Sequence, residues 1–121
     1  MAVDPEAVTR AREYHRAGQL PQADQICREI LAADPQHPEA LNLLGIIALQ
    51  IGEMPAALDC LGRAVAVRPD VASYQNDLAA AHLNVGQLEE ALATCRRALE
   101  IDPDFAEAHF NLAVILRAAG K

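Results

Sequence analysis

The sequence has few aromatic residues and almost no lysine. Among its 121 residues there are no Trp, two Tyr and two Phe, and the only lysine is Lys121. Aromatic residues are enriched in strands, so their scarcity beside abundant Ala and Leu favours packed helices over a β-sandwich. Seventeen acidic and ten basic residues give a net charge of −7. Because nucleic acid requires a basic stripe, and none is present, the sequence disfavours a nucleic-acid partner.

The cysteines do not form a pattern that suits a disulfide scaffold or a metal site. Cys27, Cys60 and Cys95 are odd in number and lie more than thirty residues apart, each among Ile, Leu or Ala. Such positions predict small buried hydrophobes in a reducing compartment. Zinc is disfavoured for the same reason.

A long apolar segment is also missing. Residues 1–20 carry charges throughout, so we expect no signal peptide, and no stretch approaches the length of a membrane span. A cytoplasmic, bacterial-type location is the resulting expectation, although truncation could have removed a targeting segment.

What the sequence does contain is a period of 34 residues. Two sets of residues recur at this spacing: Gly18, Gly52, Gly86 and Gly120, and Pro35, Pro69 and Pro103. The period divides the chain into units 4–37, 38–71 and 72–105 and a half unit 106–121. Within each unit apolar residues recur at steps of three and four, which is typical of amphipathic helices. We therefore predict one domain built from helix pairs over residues 1–121.

The glycines and prolines predict where these helices end. Glycine adopts the left-handed conformation that terminates a helix, and the residue before a proline is excluded from the α conformation. Pro21 and Pro55 fit the first turn of a helix, where a missing N–H costs nothing. Seven helices follow, near 5–17, 21–33, 38–51, 55–67, 72–85, 89–101 and 106–118.

Three local features refine the expected packing. Asp4 and Asp104 are predicted to cap the helices that follow them, Asp104 with Glu107 as a capping box. Small residues form two matched columns, which we interpret as the contact inside each helix pair: Ala11, Gly45, Ala79 and Ala113, and Ala23, Ala57 and Ala91. Gly62 lies inside the fourth predicted helix, where it costs about 1 kcal/mol relative to alanine. A close helix crossing is our one explanation for it.

The spacing and residue types resemble the tetratricopeptide repeat (TPR) family over essentially the whole chain. The resemblance is carried by LNLLGIIA and AALDCLGRAVAVRP in residues 41–69 and by QNDLAAAH and EALATCRRALEIDP in residues 75–103. Arg10 replaces a core leucine of the family in the first unit, which is expected to form the N-terminal end. The resemblance implies an all-α fold: a right-handed α-solenoid of antiparallel helix pairs whose first helices line a concave groove. It also implies a non-catalytic protein-interaction scaffold that binds a peptide or partner segment.

Carried over position by position, the resemblance implies a groove with an apolar floor, polar amides and arginines. The candidate groove residues are Asn42, Ile46, Leu49, Asn76, Ala80, Leu83, Asn84, Phe110, Asn111, Val114 and Arg117. Leu49 and Leu83 have a second interpretation, in which they pack against each other across repeats. The asparagines could grip a peptide backbone or could simply be solvated. Arg12 and Arg16 could steer an acidic partner or could pair with Glu13 and its neighbours.

Some members of the family clamp the C-terminal carboxylate of chaperones. The corresponding residues in this sequence are Val8, Arg12, Leu43, Ser73 and Asp77. Asp77 would repel such a carboxylate, so a chaperone-tail receptor is disfavoured. The phrases AEAHFNLA and DQICREILAADPQHPEALNLLGIIAL instead look similar to the repeat arms of bacterial O-linked N-acetylglucosamine transferase-like and sulfotransferase-like proteins.

No residues assemble into a catalytic, cofactor or metal site. The histidines never show the i, i+4 spacing of a helical zinc motif. His82 and His109 are expected at core positions, each with a hydrogen bond to the ring. Glu89 and Glu90 complement a helix dipole and need no catalytic explanation.

The last helix is apolar nearly all round, although it ends the sequence. His109, Ala113 and Leu116 occupy the face that a second helix covers in the other units, and Leu112 lies beside them. We expect either that the chain is a fragment cut at a repeat boundary or that a second copy covers these four residues. Three hypotheses remain open: a peptide-binding scaffold, the substrate-recruiting arm of a larger transferase, and a self-assembling scaffold that forms homo-oligomers through its ends.

The column of small residues generates a stability prediction. Replacing Ala57 or Ala91 with leucine should overpack the helix crossing and lower the free energy of unfolding by about 1–3 kcal/mol. Chemical denaturation of each variant measures this change. A free energy of unfolding equal to that of the parent protein would contradict the assignment of these alanines to the crossing.

Overall fold

The helix boundaries follow the glycines and prolines closely. The computed structural model describes residues 4–121, which form seven α-helices and no strand. The helices are α1 (Pro5–Arg16), α2 (Leu20–Ala33), α3 (Pro38–Gln50), α4 (Met54–Val67), α5 (Ala72–Asn84), α6 (Leu88–Ile101) and α7 (Ala106–Ala118). Each end lies within one residue of its predicted position. The predicted all-α helical-repeat fold class is confirmed.

The turn inside each helix pair shows why glycine recurs. Gly52 has a φ of +84° and donates to the carbonyl of Leu49 at 3.3 Å, while the N–H of Glu53 donates to the carbonyl of Ala48 at 2.8 Å. These two hydrogen bonds form a Schellman motif, which satisfies carbonyls that the end of α3 would otherwise leave open. The other three glycines of the period also have positive φ. One turn geometry is therefore used four times.

One of the two predicted helix caps is confirmed and the other is wrong. The Oδ1 of Asp4 accepts from the N–H of Glu6 at 3.0 Å, and this bond, with a second from Arg10, lowers the pKa of the Asp4 carboxyl. Asp104 does not cap α7, because the capping position is occupied by Phe105 and the side chain of Phe105 makes no capping bond. Instead, the N–H of Asp104 donates to Asp102 Oδ1 at 3.1 Å, so Asp102 shapes this turn.

Helices α1 to α4 belong to a compact unit that ends at Val67. Within it α1 packs on α2, α2 on α3 and α3 on α4, and α1 also contacts α3. The main core cluster consists of Ala11, Ala23, Cys27, Leu43, Leu44, Ile47 and Cys60. Cysteines and alanines in this cluster occupy positions at which larger residues would hold the helices apart.

The small-residue columns lie at the helix contacts, as predicted, except for Ala113, which is exposed. Ala57 and Ala91 are fully buried, and so is Ala79. A Cβ atom built on Gly45 would lie 2.6 Å from Cγ and Cδ2 of Leu61 and 3.1 Å from its backbone nitrogen. Because Leu61 is itself fully buried, α3 and α4 can pack this closely only if residue 45 has no side chain.

The expectation of a close crossing at Gly62 is wrong. A Cβ atom at this position would meet no atom of residues 4–121 within 4 Å. This position therefore does not lie at the contact between α3 and α4. The structure therefore assigns no packing role to this glycine.

Helices α5 to α7 belong to a second compact unit, which begins at Arg68. In this unit α5 packs on α6, and α7 packs on both. The core cluster is formed by Ala79, Ala91, Cys95, Ala98, Ala108 and Ile115. The Sγ of Cys95 donates to the carbonyl of Ala108 at 3.2 Å, which links α6 directly to the first turn of α7.

Three equivalent positions of the repeat are apolar in α7 but charged in α1. Ala108, Leu112 and Ile115 of α7 form the face that packs against α5 and α6. The same positions in α1 are Glu6, Arg10 and Glu13, which are all exposed. A charged outer face of this kind is typical of a capping repeat, whereas an apolar face needs another helix to cover it.

A matched pair of glycine substitutions tests this packing. Gly45→Ala should lower the free energy of unfolding by about 1–3 kcal/mol, because the new methyl group overpacks against Leu61. Gly62→Ala should raise it by about 1 kcal/mol, because alanine is the better helix former and the position is open. Urea denaturation of the two variants measures both changes. Equal changes in the two variants would contradict the assigned geometry.

Candidate functional site

The predicted groove residues of the second unit lie on its two first helices. We call this the α5–α7 surface, and it consists of Asn76, Ala80, Leu83 and Asn84 of α5 with Phe110, Asn111, Val114 and Arg117 of α7. Helices α5 and α7 are in direct contact. Residues that the sequence places 34 or 35 positions apart are therefore neighbours in space.

A hydrogen bond between two asparagines joins α5 to α7. The Nδ2 of Asn111 donates to the Oδ1 of Asn76 at 2.9 Å. Asn76 is almost fully buried, with 3% of its surface exposed, whereas Asn111 is half-buried. The bond uses only one of the two Nδ2 hydrogens of Asn111 and leaves its Oδ1 available as an acceptor. Asn111 can therefore both donate to and accept from an external peptide unit while Asn76 holds its orientation.

The apolar part of the α5–α7 surface is dominated by one aromatic ring. Phe110 has 69% of its surface exposed, the largest value among the exposed large hydrophobic residues of the described chain. Ala80 and Val114 are half-buried. Leu83 packs against the core cluster of the second unit, so part of its surface serves the fold. Phe110 thus offers apolar area that the fold itself does not use.

Asn84 and Arg117 differ in how far their side chains are engaged. The Nδ2 of Asn84 donates to the carbonyl of Ala80 at 2.9 Å, one turn earlier in the same helix. One of the two Nδ2 hydrogens of Asn84 is therefore used within α5. Arg117 is exposed in the last turn of α7, where its charge complements the carboxyl end of the helix.

The predicted groove residues of the first unit, Asn42, Ile46 and Leu49, all lie on α3 and are half-buried. Asn42 has an interaction partner within the structure. Two side-chain contacts join α3 to α1 beside them. Arg12 Nη2 donates to Glu39 Oε2 at 2.8 Å, and His15 Nε2 lies 2.7 Å from Gln50 Oε1. The expected pairing of Arg12 with Glu13 is thus wrong, because Glu39 on the adjacent first helix lies within reach.

Gln75 and His109 reveal a recurring contact that the sequence did not predict. The Nε2 of Gln75 donates to the carbonyl of Pro69 at 3.0 Å, and the Nε2 of His109 donates to the carbonyl of Pro103 at 2.7 Å. The signal was available, since each lies six positions after the proline that ends the preceding helix. Gln75 is buried, and its Oε1 has no hydrogen-bond partner among residues 4–121.

The four residues assigned to self-association fall into two groups. Ala113 and His109 are exposed and Leu116 is half-buried, whereas Leu112 packs against the core cluster of the second unit. The expectation that His109 fills a core position is wrong, because the described chain contains no helix over this face. His82 is half-buried, and its Nδ1 lies 2.7 Å from Gln87 Oε1.

The cysteines pack as small apolar groups, as predicted. All three are free and buried. Burial raises the pKa of the Cys27 thiol to about 12 and also raises the pKa of Cys60 and Cys95. The thiols are therefore protonated at neutral pH, whereas the nucleophilic form is the thiolate.

Two other kinds of site are absent from the described part of the chain. Within residues 4–121, no three His, Cys, Asp or Glu side chains come together in a way that could hold a metal ion. Over the same residues, none of the helices combines the length and the apolar character that crossing a membrane demands.

Two family models together match most of the chain. A tetratricopeptide repeat model matches residues 14–83, and a TPR repeat model matches residues 84–120. A search of curated proteins found no match.

Solved structures of repeat proteins are similar to the chain over nearly its whole length. A mutant of the Thermobaculum terrenum O-GlcNAc transferase has a TM-score of 0.90 and 32% identity over 96% of this chain, which spans 23% of the transferase chain. The first TPR domain of Spaghetti (RPAP3), bound to an HSP90 peptide, has a TM-score of 0.89 and 23% identity, and 98% of each chain is covered. A TPR protein of Thermus thermophilus has a TM-score of 0.85 and 23% identity, with 95% of this chain and 65% of that chain covered.

Proposed function

The chain belongs to the tetratricopeptide repeat family, and we propose that its α5–α7 surface binds an extended, apolar segment of a partner protein. Repeats of this family indicate a protein-interaction scaffold, and their function lies in binding. One observation carries the choice of surface: Phe110, 69% exposed, stands next to the Asn111–Asn76 hydrogen bond. The surface therefore combines an apolar anchor with a fixed amide.

The two parts of this surface have complementary roles. An exposed aromatic ring contributes apolar area on binding, and aromatic residues are enriched among those that dominate interface energies. The Asn111 amide can bond to a peptide N–H and C=O, which selects an extended backbone without selecting its side chains. Because the 2.9 Å bond to Asn76 already orients this amide, less conformational freedom is lost on binding.

The charges favour a partner other than a chaperone C-terminus. The first TPR domain of Spaghetti, which is bound to an HSP90 peptide, is similar to this chain in its fold alone. At the positions of the family's carboxylate clamp, this chain carries the acidic Asp77, and Arg12 is already paired with Glu39 at 2.8 Å. Asp77 would repel a free carboxylate, and Arg12, whose charge is already paired, would attract one less strongly.

An NMR titration tests the proposed surface. Extended peptides taken from partners recovered by pull-down should shift the side-chain amide signals of Asn76 and Asn111. Phe110→Ala should weaken binding by roughly tenfold or more, since it removes the apolar anchor. Ile101→Ala is the matched control, because Ile101 is an exposed hydrophobic residue of the same unit on α6. Binding without shifts at Asn76, Asn111 or Leu83 for every recovered partner would sink the proposal.

A second candidate function is the substrate-recruiting arm of a larger transferase. The observation that favours it is the 32% identity to the O-GlcNAc transferase structure, of which this chain spans 23%. In this proposal the α5–α7 surface presents an acceptor polypeptide to a catalytic domain elsewhere in the protein. The gene sequence beyond Lys121 decides the matter, because a stop codon directly after Lys121 would exclude a following catalytic domain.

A third candidate is self-association through α7. Its support is the exposure of Ala113 and His109, at positions that α6 covers in the preceding repeat. Leu116→Glu should abolish any dimer, because a charge would be buried in the contact. Ala118→Glu is the control, since Ala118 is an exposed residue on another side of α7. Light scattering over a concentration series measures the mass. A strict monomer at high concentration would contradict this function, and so would a dimer that persists in Leu116→Glu.

A further inference from the structure

A cleft in the first unit lies away from its first-helix face. We call it the α2–α4 cleft, because α2 and α4 form its walls and α3 its base. Its cavity measures about 510 Å³. An adjoining cavity of about 730 Å³ shares Asp24, Arg28 and Glu53 with it and extends the opening towards Gly18. These volumes are in the range of cavities that hold a group of side chains or a small ligand.

The floor of the cleft is apolar. Leu44, Ile47 and Ala48 of α3 form the base, and Ile51 stands at the mouth with 59% of its surface exposed. Ile51 is the most exposed aliphatic residue among the large hydrophobic residues of the described chain. Contact with a bulky apolar side chain would remove this surface from water, which gives the cleft a hydrophobic driving force for binding.

The arginines on the walls are already engaged. Arg28 Nε donates to Asp24 Oδ2 at 2.8 Å on α2, and Arg63 Nη1 lies 3.5 Å from Asp59 Oδ2 on α4. Arg63 also donates to the carbonyl of Pro35 at 3.0 Å. Burial raises the pKa of Cys60, another titratable wall residue, so its thiol is uncharged at neutral pH.

Glu53 is the charged residue of the cleft that takes part in none of these ion pairs. It lines both cavities, and its carboxylate makes no hydrogen bond or ion pair with any residue from 4 to 121. Three acidic residues (Asp24, Glu53 and Asp59) against two arginines give the walls a net charge of −1. The charge that complements this cleft is therefore positive.

We propose that the α2–α4 cleft binds a protein segment that presents a bulky aliphatic side chain next to a lysine or arginine. The aliphatic group covers Ile51 and the floor at Ile47, and the cation pairs with Glu53. An acidic segment would face an unneutralised carboxylate, and a purely apolar one would leave Glu53 without a partner. This second site shares no residue with the α5–α7 surface, so it can be tested independently of the function proposed above.

A titration with three synthetic peptides tests the chemistry of the occupant. Acetyl-Lys-Leu-Leu-Lys-amide is the probe, with acetyl-Glu-Leu-Leu-Glu-amide and acetyl-Lys-Ala-Ala-Lys-amide as matched peptides. Methyl signals of the isoleucines in the full chain report binding. The probe should shift Ile47 and Ile51 and leave Ile115 unchanged, and its affinity should fall as salt is added. The two matched peptides should bind several-fold more weakly, because each lacks one of the two required groups.

Variants of exposed residues separate binding from folding. Ile51→Ala should lower the affinity for the probe by about tenfold. Glu53→Gln should lower it by about threefold and should also reduce its salt dependence. Val85→Ala is the matched control, because Val85 holds the same repeat position as Ile51 and is also exposed. Both test positions are exposed, so circular dichroism should show the parent helix content in each variant.

Several results would overturn the inference. One is the absence of any shift at Ile47 and Ile51 at millimolar probe concentration. Another is equal affinity for the lysine and glutamate peptides, which would remove the role of Glu53. Shifts near Phe110 and Val114 instead of Ile51 would place the probe on the α5–α7 surface. Loss of α5–α7 binding in Phe110→Ala with retained probe binding at Ile51 would support two separate sites.

Discussion

The close approach of two helices at a residue without a long side chain is the constraint on which each helix pair depends. At Gly45 even a methyl group would overlap Leu61, and Ala57 and Ala91 are fully buried at the corresponding contacts. Close backbones leave little room for a conventional core, so burial is shared among alanines, cysteines and a few leucines. The protonated, unreactive thiols follow from the same packing, because cysteine serves there as a small apolar group.

Much of the fold could be predicted because glycine and proline act locally. Gly52 requires a positive φ, and Pro69 lies two residues after α4 ends, so the helix ends came out within one residue. The cap at Asp104 was mispredicted for a local reason as well: Asp102 offers a competing turn, and the difference amounts to one or two residues. Gly62 could not be interpreted, because the space around a missing side chain depends on its tertiary neighbours.

The candidate sites were harder to predict, because their groups meet across repeats. In the sequence, asparagine at 76 and 111 is compatible with a solvated role as well as with a binding role. Only the contact between α5 and α7 shows that one amide orients the other. Arg12 and Glu39 are 27 residues apart, so the sequence suggested nearer acidic partners. The α2–α4 cleft left no sequence signal at all, since Ile51 and Glu53 simply flank a turn glycine.

The charged outer face of α1 limits how copies of this chain can assemble. Open filaments of repeat proteins need each subunit to offer two different, complementary ends. Here Glu6, Arg10 and Glu13 occupy the end that would have to receive an apolar helix, and desolvating them without partners is costly. Any growth by stacking would therefore be one-sided. In the self-association proposed above, contact through α7 would pair two identical faces and stop at two subunits, so it would not lead to polymers.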